Sequence, residues 1–168
     1  MKKLIRAIAA IIILATAIVV ALIFQHALRV PLVNITFLGA THSLAYWIGF
    51  GGTLYIAFAT PVYPIVKRKF PRHLRKTLNI HIIGNLLAVL LVSVHFAQQL
   101  TRPPSSYPNL GTGIVLETAM VLLVSAGMVL YSNIFRKFAK QQHFLHAAFA
   151  VTFYTVIAVH VLHGLSII

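Results

Sequence analysis

His81 and His95 stand fourteen residues apart in the run HIIGNLLAVLLVSVH, and His146 and His160 stand fourteen apart in HAAFAVTFYTVIAVH. On an α-helix that spacing is almost four turns, so both members of a pair share one face, about 21 Å apart along the axis. Two such helices facing each other would offer two stacked His–His sites. A b-type haem held between one histidine from each helix would fill each site, giving two haems per chain. With histidine on both faces of the iron there is no open coordination position, so the chemistry expected is outer-sphere electron transfer.

The residues between the ligands suit a flat macrocycle. On the first segment Gly84, Ala88 and Val92 lie along the stripe from His81 to His95, and small side chains allow close approach to the backbone. On the second, Ala150, Phe153 and Ile157 lie along the matching stripe, with Phe153 midway between the two histidines. Ordinary helix packing accounts for the same residues. A lone histidine inside an apolar segment is also used to hydrogen-bond a neighbouring helix, but four at matched positions are harder to explain that way.

Five histidines lie outside this pattern. His73 falls in a basic loop, and His26 and His42 fall at the ends of apolar segments. His143 and His163 each lie three residues from a proposed ligand and are candidates for contact with a haem propionate or for proton handling. As substitute ligands they fit less well, because spacings of seventeen rotate the two side chains apart by about 100°. Glu117 is the only acid in the chain. A carboxyl within an apolar segment is costly unless paired or protonated. Glu117 is therefore a candidate for proton exchange with a quinone, or for partnership with Arg102, His95 or His163. A protonated carboxyl that merely joins helices is the competing explanation.

The elements that must position these residues are membrane helices. The chain has 168 residues, 60% of them hydrophobic and 9% charged, with a mean hydropathy of +0.92. That composition lies outside the range of soluble domains. Five stretches reach the roughly 20 apolar residues that a bilayer crossing requires: 4–24, 44–66, 78–100, 114–131 and 144–168. The fold expected is all-α, a single five-helix membrane bundle over residues 1–168. The first stretch follows Lys2, Lys3 and Arg6 as a secretory signal would. Its apolar run is longer than a signal core and no clear cleavage site follows, so it is read as a retained span. Residues 27–41 form a mixed segment expected to lie along the interface, and 101–113 a Pro/Gly/Ser-rich loop. Gly49 to Gly52 (GFGG) favour close helix contact, and Pro61 and Pro64 favour a bent or terminated helix end. The absence of cysteine excludes disulfides, iron–sulfur clusters and thiolate ligation.

Charge gives an orientation. Lys2, Lys3, Arg6, Lys67, Arg68, Lys69, Arg72, Arg75, Lys76, Arg136, Lys137 and Lys140 fall on one side of the five spans, and only Arg29 and Arg102 on the other. The positive-inside rule then places the N-terminus in the cytoplasm and the C-terminus outside. Spans three and five both run outward, which brings His81 and His146 to the inner depth and His95 and His160 to the outer one. The basic residues sit in short runs between apolar segments, a pattern of membrane topology and not of nucleic-acid binding.

At these histidines the chain resembles the ferric reductase-like transmembrane superfamily, which includes NADPH oxidases, ferric reductases, the STEAP metalloreductases and the haem subunit serving bacterial periplasmic methionine sulfoxide reductase. The resemblance covers the five spans and implies that His81 and His146 hold an inner haem, and His95 and His160 an outer one. Three features depart from the pattern: Ala147 replaces the basic residue that often follows the inner ligand, the usual sixth span is absent, and no Gly-rich nucleotide fingerprint is present. The donor expected is therefore a cytoplasmic flavoprotein or a quinol, and the acceptor lies outside the cell membrane. Two further functions fit the sequence. One is a quinol-oxidising cytochrome b anchor of a respiratory complex, and the other a haem-free scaffold or transporter.

Overall fold

The computed structural model describes residues 2–29, 33–37, 40–102 and 110–164. The chain falls into two compact units, Met1–Arg102 and Pro103–Ile168. Among the described residues, five helices are long and apolar enough to cross a membrane. A chain surrounded by hydrocarbon has no water to satisfy its amides, and a helix satisfies them internally. Side-chain hydroxyls follow the same rule: Thr16 donates to Ile12 O, Thr118 to Ile114 O and Thr155 to Val151 O, each one turn back.

The first unit contains α1 (Lys2–Phe24), a hairpin of β1 (Asn34–Phe37) and β2 (Ala40–Ser43), α2 (Leu44–Lys69) and α3 (Leu74–Leu100). Helix α1 ends in a left-handed His26 (φ 56°), with the His26 N–H donating to Ile23 O and the Ala27 N–H to Leu22 O. These paired bonds satisfy carbonyls that the helix end leaves open. The strands pair antiparallel, Asn34 with Ser43 and Thr36 with Thr41. The segment expected only to lie along the interface thus contains a hairpin, tied to α2 by a Trp47 Nε1 bond to Ile35 O (2.9 Å). Ser43 caps α2, its hydroxyl accepting from the Tyr46 N–H.

Helix α2 runs through Pro61 and Pro64 to Lys69, so the prolines do not terminate it. Ending the helix in an apolar medium would strand several backbone groups, whereas each proline removes only one N–H. Lys67, Arg68 and Lys69 then complement the negative end of the helix. Helix α3 packs against both α1 and α2, and its buried side is Ile82, Leu86, Ala88, Val92 and Ala97. The expected close approach occurs at Gly52, where a β-carbon would fall 2.9 Å from Ala88 O.

The second unit is a hairpin of α4 (Leu110–Ser132) and α5 (Ala139–Gly164). Residues 110–113, assigned to the loop from their composition, are the first turn of α4. Asn133 closes α4 in the left-handed conformation (φ 61°), its N–H reaching Val129 O and Leu130 O, and a 3-10 turn at Arg136–Phe138 leads into α5. Leu116, Ala119, Met120 and Leu123 of α4 are buried, as are Phe153 and Ile157 of α5. Residues 103–109 and 165–168, the middle of the expected loop and the end of the fifth span, lie outside the described residues.

Candidate functional site

All four proposed ligands are half-buried, and each has its Nδ1 engaged by a group of its own unit. On α3, His95 Nδ1 lies 3.1 Å from Ala45 O. The ring sits on Gly49, where a β-carbon would fall 2.6 Å from His95 Cγ and 2.7 Å from its Cβ. Tyr46 meets it edge-on, with ring centroids 6.5 Å apart. On α5, His146 Nδ1 lies 3.2 Å from Leu123 O, and a β-carbon on Gly127 would fall 3.0 Å from its Cε1. A carbonyl only accepts, so both Ala45 and Leu123 require the proton on Nδ1. The lone pair of each imidazole is then on Nε2.

The other two histidines are held by side chains. His160 Nδ1 is 3.0 Å from Thr112 Oγ1, a bond that ties the start of α4 to the end of α5. His81 Nδ1 is 3.2 Å from Asn85 Nδ2, one turn along the same helix, and its ring stacks on Tyr63 at 4.6 Å. Asn85 Oδ1 is buried without a hydrogen-bond partner among the described residues. Rotating that amide by 180° presents Oδ1 to Nδ1–H and gives His81 the tautomer already required of His95 and His146.

The structure brings Gly84 and Ala88 against α2. The Tyr55 phenol lies over Gly84 and donates to Ile80 O (3.4 Å), and Ala88 meets Gly52. Phe153, between His146 and His160, is 1% exposed. His163 is half-buried in the last turn of α5, and His143 and His73 are exposed. Glu117 sits half-buried on α4 with Oε2 enclosed. His42, exposed on β2, stacks on Tyr46 at 4.0 Å. A groove of about 450 Å³ runs between α2 and α3, with Tyr55, Phe58, Tyr63, Thr77, Ile80 and His81 on its walls.

Among the described residues, no three or more His, Cys, Asp or Glu side chains gather as a site for a bare metal ion. A haem asks less of the chain, since its macrocycle supplies four nitrogens and the protein only the axial pair. The donors are of the kind that demand calls for: four imidazoles, each engaged through Nδ1, as histidines that bind metal through Nε2 usually are. The partners of these bonds were not foreseen. Asn85 was visible four residues after His81, but Thr112 is 48 residues from His160, and backbone carbonyls carry no residue signal.

Compared with protein-family models, curated proteins and solved structures, the chain finds no match in any of the three.

Proposed function

We propose that this chain is a di-haem b-type transmembrane cytochrome of the ferric reductase-like kind, moving electrons across the cell membrane from a cytoplasmic flavoprotein or quinol to an external acceptor. The observation that supports this is the engagement of Nδ1 in all four histidines of the fourteen-residue pairs, with carbonyls on His95 and His146 that require the proton on Nδ1 and so leave the lone pair on Nε2, the nitrogen that would meet iron. When bound, each haem would supply a one-electron carrier. On the pairing that the sequence spacing and charge pattern imply, His81 with His146 would hold the inner haem and His95 with His160 the outer. The chain's part is to fix ring orientation and ligand basicity, which tune the iron. The twelve-to-two division of basic residues supports an N-terminus in the cytoplasm. Those residues would dock an acidic donor protein or anionic lipid headgroups.

The test is an optical spectrum of the detergent-purified protein, oxidised and then dithionite-reduced, with haem counted per chain. Sharp reduced α and β bands and about two b haems per chain are expected from two bis-histidine sites. A colourless protein after haem supplementation would sink the proposal and leave a scaffold or transporter.

A second reading, the quinol-oxidising anchor of a respiratory complex, is favoured by the groove beside His81. Its walls are almost wholly apolar, and the hydroxyls of Tyr55 and Thr77 beside it donate to Ile80 O and His73 O. Inhibition of haem reduction by quinone analogues, with loss of that inhibition in Tyr55→Phe, would support it.

A further inference from the structure

His95 and His146 lie in different units, yet the same arrangement holds each of them. His95 Nδ1 reaches the carbonyl of Ala45 and its ring rests on Gly49. His146 Nδ1 reaches the carbonyl of Leu123 and its ring contacts the position of Gly127. In both cases the carbonyl belongs to residue i, and the glycine to residue i+4, of the helix preceding the histidine's own. That carbonyl is the one that helical geometry pairs with the glycine's N–H.

The i+4 relation has a physical cause. Side chains on a helix lean toward its N-terminus, so a residue covers the turn before its own Cα. A β-carbon at i+4 therefore shields the carbonyl at i from the side. A glycine removes that shield and leaves the second lone pair of the oxygen open to an outside donor. The imidazole then enters the space where the β-carbon would be and donates Nδ1–H to the uncovered carbonyl.

We infer that Gly49 and Gly127 are positioning residues: each opens a backbone carbonyl that fixes the tautomer and ring orientation of one axial ligand. As it concerns iron, this rests on the di-haem proposal. Under its pairing the two seats serve different haems, Gly127 the inner through His146 and Gly49 the outer through His95. Each haem then has one ligand locked by backbone and one, His81 or His160, held by a side chain.

The test uses the full chain in detergent, comparing Gly127→Ala and Gly49→Ala with Gly51→Ala, whose β-carbon would meet nothing within 4 Å. Three readouts are taken: haem per chain, the low-spin electron paramagnetic resonance lines of the oxidised protein, and imidazole ¹⁵N shifts of the reduced, diamagnetic protein. At Gly127 the nearest ring atom is 3.0 Å from the added carbon, so His146 shifts without being expelled. Gly127→Ala is expected to keep both haems, move one low-spin line and leave the other in place. At Gly49 the clash is with His95 Cβ and Cγ, which cannot swing aside, so loss of one haem of the two is expected.

Wild-type lines and wild-type His146 ¹⁵N shifts in Gly127→Ala would overturn the inference, as would equal changes in Gly51→Ala. The glycine seat and the haem assignment fail separately. If the protein carries no haem, ¹⁵N spectra still report tautomers: Nδ1–H at both His95 and His146 upholds the seat while the cytochrome proposal falls, and Nε2–H at both overturns the seat as well.

Discussion

The Tyr55 phenol occupies the place where a β-carbon on residue 84 would stand, so at this point α2 and α3 meet as an aromatic ring on a glycine. Gly84→Ala puts carbon where that ring lies, and Tyr55 must leave its contact with Ile80 O. Overpacking of this kind costs about 1–3 kcal/mol. The expected result is a lower thermal midpoint for the detergent-solubilised protein, restored in part by Tyr55→Ala in the same chain. An unchanged midpoint in the single variant would mean that the two helices do not meet there.

The proposed pairing makes a non-additive prediction. His81→Ala and His146→Ala should each remove one haem, and the double variant should lose no more than either alone. His95→Ala and His160→Ala should behave the same way toward the other haem. Combining His81→Ala with His95→Ala should remove both. Residues that act as one unit do not add, and residues at separate sites do. Haem per chain by pyridine haemochrome measures this directly, and loss of both haems in the His81/His146 double variant would break the pairing.

Thr112 and Asn85 should tune one haem each. An acceptor on Nδ1–H makes an imidazole more basic and favours the oxidised iron, so removing it raises the potential. A hydrogen bond with a net value of about 0.5–1.5 kcal/mol corresponds to roughly 20–60 mV for one electron. Thr112→Val should raise only the haem held by His160, and Asn85→Leu only the haem held by His81. Spectroelectrochemical titration resolves the two, and equal shifts in both haems would contradict the assignment.

The sequence was most legible where one physical threshold decides the outcome. A run of apolar residues long enough to cross hydrocarbon must be helical, and all five runs are. Hydropathy does not mark where a helix stops, because a helix continues into polar flanks while its amides find partners. So α5 begins at Ala139 and not Phe144, and α2 ends at Lys69 and not Val66. The hairpin at Asn34–Ser43 has strands of four residues, too short for alternation to stand out. At the site, ligand candidates were legible because fourteen-residue spacing repeats. Their supports were not: Ala45 and Leu123 act through carbonyls, and Tyr55 reaches Gly84 across 29 positions of sequence.

Orientation is the last prediction, and the chain's lack of cysteine makes it simple to test. If the basic segments face the cytoplasm, a cysteine at Arg72, exposed in the 3-10 turn between α2 and α3, is shielded in intact cells from a membrane-impermeant maleimide. A cysteine at Thr41, exposed on β2 at the opposite end of α2, is then labelled without permeabilisation. Neither substitution touches a proposed ligand, so haem content should stay at its wild-type value in both. The positive-inside bias acts through residues near the span ends, and six of the twelve basic residues flank the turn that Arg72 occupies or lie within it. Labelling at Arg72→Cys in intact cells, with protection at Thr41→Cys, would invert the chain. His81 and His146 would then lie at the outer depth, and electrons leaving the cytoplasm would meet His95 and His160 first.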